Sequence, residues 1–178
     1  FTGSPRYGSH LERTVTGKQL LTETAGVNSV VLHSTHSLAE TARAIARAAS
    51  LFSAQMCTSP QTVYIPENGI VADGAHASFD DVAQALISAI DEIANDPAMA
   101  AGIMGAVQAQ ASVDLIKKLE ENLHATPGAR VLRAAQPYVH PDFPKARTLT
   151  PLVVVVSPSH QALYAEEHFG PVLFLVTA

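Results

Sequence analysis

Cys57 is the single cysteine of the chain and sits in "SAQMCTSPQ", between a helical pattern and the strand-like "TVYI". A thiol is the best nucleophile among the side chains, because part of it ionises near neutral pH and a helix terminus or nearby donor increases that part. A free cysteine is also among the most buried residue types, where it acts as a small inert hydrophobe. Its setting beside polar Gln55, Thr58 and Ser59 leaves both readings open. Carboxylates that could move protons or bind hydroxyls occur at Glu23 in "LLTETAGVNSVVL" and at Glu166 and Glu167 in "EEHFGPVLFLV". Taken singly, each is more simply an exposed strand-end or loop carboxylate. Eight histidines invite a metal, with "HSTH" at His33 and His36 the tightest pair, but no HExxH or Cys/His cluster completes a ligand set. Gly102 and Gly105 in "GIMG" lack the strand-to-helix context and full glycine pattern of a phosphate loop.

Short β-type runs alternate with helical patterns along the whole chain, which predicts an α/β fold with a mixed, largely parallel sheet flanked by helices. Ser37 and Glu40 have capping-box spacing, and Leu38, Ala42, Ile45, Ala49 and Phe52 then form one helical stripe ending just before Gln55-Met56-Cys57. From Thr62 the pattern is extended, with Val63 and Ile65 on one face until Pro66. Cys57 is therefore expected on a helix-to-strand loop. A second helix starts at the Ser78 cap, buries Val82, Leu86, Ile90 and Ile93, and closes at Asp96-Pro97. A third spans Val113 to Leu123, with Ser112 as its cap. "ARVLRAA" reads as a short strand, and "QPYVHPDFPKARTLTP" as a long exposed excursion. "LVVVV" and "VLFLV" have the unalternating apolar character of strands buried on both faces.

Composition narrows the partners. Sixteen acidic against 11 basic residues give a formal charge of −5 and a pI near 5.9, which repels a nucleic-acid backbone. The longest aliphatic run is too short to cross a bilayer, and a lone cysteine forms no internal disulfide; a soluble cytoplasmic setting with no membrane partner is expected. With 47% hydrophobic residues, 178 residues suit one core better than two. The chain opens at "FTGS" without an initiator methionine or a signal peptide, and so reads as part of something longer.

"FTGS", the glutamate before "AG" at Glu23, "QMC" at Cys57 and "EEHFGPV" ending at Val172 occur in the order, and Glu23 and Cys57 at the separation, of the signature segments of aldehyde dehydrogenases. The chain resembles that superfamily over nearly its whole length. "TETAGVNSVVL", "SAQMCTSPQ" and "HPDFP" are most similar to the PaaN-type enzymes of bacterial phenylacetate degradation. Three positions depart from the family's usual residues: Ala54 stands for a glycine, Thr24-Ala25-Gly26 for leucine-glycine-glycine, and Thr62 for an arginine.

The resemblance implies an NAD- or NADP-dependent oxidation of an aldehyde to an acid. Cys57 would form a thiohemiacetal and then a thioester, and Glu23 would activate the water that releases the acid. Gly3 and Ser4 would lie against the cofactor, Glu167 would bind the nicotinamide ribose and Phe169 would pack by the nicotinamide. In this branch the aldehyde would come from the opened ring of a phenylacetate-derived CoA thioester. Residues 1–25 would be the end of a cofactor-binding domain and 26–178 the catalytic domain, inactive alone and part of a homo-oligomer when full-length. Two alternatives stand beside this: a CoA-acylating relative, and a non-catalytic module that keeps the fold.

Overall fold

Strands whose residues are apolar at every position need cover on both faces, and this chain supplies it with one sheet between two helical layers. The computed structural model describes residues 1–24 and 26–178; Ala25, where the sequence places the domain boundary, lies outside the described residues. The chain begins with β1 (Thr2–Gly3), α1 (Pro5–Thr14) and β2 (Glu23–Thr24), then continues through β3 (Asn28–Val31), β4 (Ser34–Thr35) and α2 (Leu38–Ser50). Next come β5 (Pro60–Ile65), β6 (Ile70–Ala72), β7 (Ala75–Ala77), α3 (Phe79–Asn95), α4 (Pro97–Ile103) and α5 (Gln110–His124). β8 (Arg130–Arg133), β9 (Leu152–Val156), α6 (Gln161–Tyr164) and β10 (Val172–Thr177) complete it.

The main sheet has five strands in the order β3-β5-β10-β9-β8. The first four run parallel and β8 pairs antiparallel with β9 at the edge, so the expected mixed, largely parallel sheet is the one formed. Side-chain parity divides the core. Val63, Ile65, Val153, Leu173 and Leu175 pack beneath α2 and α3, whereas Leu152, Val154, Val156, Val172, Phe174 and Val176 pack against α5 and Tyr164. One-residue alternation along each strand thus feeds two separate cores.

Helix starts follow their caps. The Ser37 hydroxyl accepts the Glu40 N–H at 3.3 Å, and Ser78 and Asp81 complete a reciprocal box, with 3.1 and 2.9 Å backbone-to-side-chain bonds. Asp96, expected only to close α3, also caps α4 by accepting from Ala98 and Met99 at 2.9 Å. Proline at the next position is suited to a first helical turn.

Several expectations need correction. The α2 stripe ends at Ala49, because the chain leaves the helix after Ser50 and Phe52 enters the left-handed region at φ 50°. That turn carries the Phe52 ring away from the core, leaving it 57% exposed. Ser112 is not a cap: α5 starts three residues before Val113, and its cap position is Ala109, which has no side-chain acceptor. The excursion after β8 is exposed only over part of its length. Thr148, Leu149 and Thr150 are buried, and the two threonine hydroxyls accept the Tyr138 and Gln136 N–H groups at 3.0 Å. The sequence reading also omits the β6–β7 hairpin, although its Asp73-Gly74 turn, with φ 54° and 76°, is the favoured two-residue chemistry for such a connection. No helix among the described residues is long and apolar enough to cross a membrane.

Leu86 on α3 is fully buried, while Leu115 on α5 is 41% exposed. Leu86→Ala is expected to cost about 2–5 kcal/mol in urea unfolding. Leu115→Ala should cost under about 1 kcal/mol; equal losses would contradict the layer assignment.

Candidate functional site

Three segments that precede parallel strands converge on one cleft of about 550 Å³, lined by Thr2, Gly3, Ser4, Glu23, Thr24, Gln55, Met56, Cys57, Glu167 and Phe169. All six residues singled out from the sequence, namely Gly3, Ser4, Glu23, Cys57, Glu167 and Phe169, are among them. His33 and His36 are not, and no group of metal-ligating side chains occurs among the described residues.

The first wall is a two-stranded parallel ribbon. Thr2 pairs with Glu23 and Gly3 with Thr24, and the Glu23 N–H donates to the Phe1 carbonyl at 2.8 Å. Backbone pairing alone therefore sets Glu23 beside Gly3 and Ser4. Ser4 caps α1, and Gly8 lets that helix lie close on β2, since a Cβ there would sit 2.7 Å from Thr24 Cγ2. Glu23 is exposed to the cleft.

The second wall carries Cys57, which is exposed. It follows a turn in which Phe52, Ser53 and Ala54 all have φ between 50° and 54°, a conformation that costs non-glycine residues roughly 1–2 kcal/mol each. Side chains hold this turn from both sides. The Ser53 hydroxyl donates to Met104 O at 2.9 Å. The Gln55 amide donates to Phe52 O at 2.9 Å and Ala106 O at 3.2 Å, and its oxygen accepts the Gln108 N–H at 2.9 Å. From β3, the Asn28 side-chain amide donates to Cys57 O and, at 3.3 Å, to Ser59 O. The cysteine backbone is thus fixed while its thiol faces the cleft.

The third wall, the loop between α6 and β10, bears Glu167 and Phe169. Partial burial pushes the Glu167 carboxyl above the usual range for its type. Phe169 is 41% exposed and presents its ring to the cleft. Sequence reasoning missed Asn28, Gln55 as a latch, and Gln61 of β5, whose side chain holds this loop. A polar residue at a strand start beside a strand-end carboxylate was the available signal for Asn28. For Gln61 the signal was an amide inside an otherwise apolar strand.

The whole chain, residues 1–178, matches the family model described as the aldehyde dehydrogenase family. Among solved structures it is similar to the NAD-dependent aldehyde dehydrogenase of Burkholderia multivorans, at 40% identity and TM-score 0.91, over 100% of this chain and 31% of that one. It shares its fold with a proline utilization A variant of Bradyrhizobium japonicum at 22% identity and TM-score 0.75, over 100% of this chain and 17% of that one. The NADP-dependent glyceraldehyde-3-phosphate dehydrogenase of Bacillus halodurans, complexed with NADP, shows 23% identity and TM-score 0.70, over 100% and 34% of the respective chains. This chain accordingly spans about a third or less of these proteins. None of the curated proteins matches it.

Two outcomes follow from the walls. Asn28→Ala should lower stability by about 0.5–1.5 kcal/mol in urea unfolding, by releasing one exposed and one part-buried carbonyl of the cysteine loop. Asn28→Asp should cost more at pH 7, because a carboxylate would face two acceptors; its folded pKa is then raised, so the extra loss should disappear as acid protonates it. Glu167→Gln should raise the melting temperature of the free protein at pH 8 more than at pH 4. The raised pKa means that stability is full while Glu167 is protonated and is lost as pH rises through its folded value, a loss that glutamine does not suffer.

Proposed function

The chain belongs to the aldehyde dehydrogenase family, and from that membership we propose that it is the catalytic portion of an NAD(P)-dependent enzyme that oxidises an aldehyde to a carboxylic acid. The observation that carries this reading is the convergence of Cys57, Glu23, Glu167, Phe169, Gly3 and Ser4 on one cleft. The residues suit a nicotinamide nucleotide: Glu167 offers acceptors for a ribose diol, Phe169 an apolar wall for a flat ring, and Gly3 a backbone without a side chain in the way. Bound there, such a nucleotide supplies the hydride acceptor that turns a thiohemiacetal into a thioester.

The chain's own residues do the rest. The Cys57 thiolate adds to the aldehyde carbon, forming the C–S bond while the carbonyl electron pair moves to oxygen. That oxyanion is met by the Cys57 backbone N–H, which has no acceptor among the described residues. The latches from Asn28 and Gln55 keep the sulfur's backbone in place through this change. After the carbon has lost its hydride, Glu23 takes a proton from water, the new C–O bond forms, and the C–S bond breaks to return the thiolate and release the acid. Glu23 lies on the same cleft as Cys57, which favours water over a CoA thiol as the acceptor.

In this reading residues 1–25 end a cofactor-binding domain, and the rest of the chain is the catalytic domain. The full-length protein is a homo-oligomer. The segments "TETAGVNSVVL", "SAQMCTSPQ" and "HPDFP" support a place in phenylacetate breakdown, with a semialdehyde carried on a CoA thioester as substrate.

The test uses the full-length protein, a panel of aldehydes and both nucleotides. Cys57→Ser should reduce NAD(P)H formation about a thousandfold or more. Glu23→Gln should keep a first-turnover burst while steady release of acid falls about 10²-fold or more. Undiminished turnover in the serine variant would overturn the assignment; acyl-CoA as the product would move it to the CoA-acylating class.

A further inference from the structure

Gln61 is the only side chain whose polar groups bond to the backbone of the Glu167 loop from the strand that follows Cys57, among the described residues. It is 6% exposed, in a strand that otherwise buries Thr62, Val63 and Ile65. Its amide nitrogen donates to Glu166 O at 2.7 Å and to Tyr164 O at 3.5 Å, and its oxygen accepts the His168 N–H at 2.7 Å. The contacted groups therefore bracket Glu167 on both sides. A buried amide satisfied at both ends is a rigid strut, whereas any apolar substitute would leave backbone groups unpaired.

We propose that Gln61 is a positioning residue for cofactor binding: it sets the backbone on either side of Glu167, and so aims Glu167 and Phe169 at the nicotinamide ribose and ring. This rests on the reading of the cleft given above. Its action is selective. The cysteine loop is held by Asn28, Ser53 and Gln55, none of which bonds to Gln61, so loss of the strut should loosen the cofactor wall and leave the nucleophile wall in place. A strand residue that bonded only to strands would have no such preference.

The experiment compares wild type, Gln61→Leu and Gln61→Glu in the full-length protein. Leucine keeps the bulk and removes both functions. Glutamate keeps an acceptor for the His168 N–H but replaces the donor that Glu166 O needs. Expected are a rise of about tenfold or more in the dissociation constant and KM for the nucleotide that the wild type uses. Iodoacetamide should alkylate Cys57 at a rate within about twofold of wild type, and the aldehyde KM should change as little. Faster hydrogen exchange at the His168 amide is expected in the leucine variant and not in the glutamate one. Unchanged nucleotide affinity in either folded variant would overturn the proposal. So would a parallel slowing of alkylation, or failure of both variants to fold, since each makes Gln61 a residue of the fold at large. A wild-type protein that binds neither nucleotide would instead defeat the functional reading on which the proposal stands.

Discussion

Parallel pairing of β3, β5 and β10 is the constraint on which the cleft depends. Parallel strands present all their amino ends at the same end of the sheet; β5 and β10 are entered from loops that line the cleft, and β3 follows the β1–β2 ribbon that carries Glu23. Asn28 opposes Pro60 at the start of the first pair, and Thr62 opposes Phe174 in the second. A slip of one residue in either register would turn Val63 or Leu173 toward the wrong core. The two cores on opposite faces therefore fix the register, and the register fixes the relative heights of the segments that enter the three strands. Open α/β sheets usually bind ligands beyond the carboxyl ends of their strands; here the convergence is at the amino ends, and one of the three walls is the β1–β2 ribbon.

The backbone just before Cys57 shows what positioning costs. Alanine at position 54, where relatives usually have glycine, holds φ 54°. Glycine would relieve roughly 1–2 kcal/mol of steric cost. It would also surrender about 0.8 kcal/mol of methyl burial and give the unfolded chain about 0.4–1 kcal/mol of added entropy. These contributions nearly cancel, so alanine is tolerable at that position without any special compensation. Thr62 is a different departure. It is wholly buried and its hydroxyl has no partner among the described residues, so the position faces the core, and an arginine's charged head could be accommodated only by rearranging that core.

Much of this was legible in the residues. Continuous apolar runs announced the central strands, and the Ser78–Asp81 spacing announced α3, because burial and capping act over a few neighbouring positions. Cys57, Glu23 and Glu167 point to a candidate site only as an ordered set, since their meeting on one cleft depends on strand register that no local pattern encodes. The failures have physical causes. The periodicity placed Phe52 on the core stripe because it assumes helical dihedrals throughout, and the left-handed turn breaks that assumption. Ser112 has a good capping side chain, but the helix gains another turn by starting earlier at an uncapped alanine. Gln61 and Asn28 stand out only as polar residues in or beside apolar strands; what they hold is not legible locally, because their partners are backbone groups distant in sequence.

The latches differ in number between the two working walls, and the difference bears on how the cleft can move. The cysteine loop is tied by Asn28 from the sheet and by Ser53 and Gln55 to the segment after α4, so loss of any one bond leaves others in place. The Glu167 loop is tied to the sheet by the Gln61 side chain and, at its far end, by the Leu152 N–H on Pro171 O at 2.9 Å, and it turns tightly at Gly170, whose N–H bonds to His168 O at 2.7 Å. It also carries a carboxyl that burial makes reluctant to ionise, so hydroxyl donors arriving in the cleft would stabilise the very charge that the free protein disfavours. On the proposed reading, a nucleophile needs fixed geometry through every turnover, whereas a wall that must admit and release a large ligand benefits from fewer attachments. The side-chain bonds are apportioned in that sense: Asn28, Ser53 and Gln55 hold the cysteine loop, and Gln61 is the one strand side chain among the described residues that holds the backbone on both sides of Glu167.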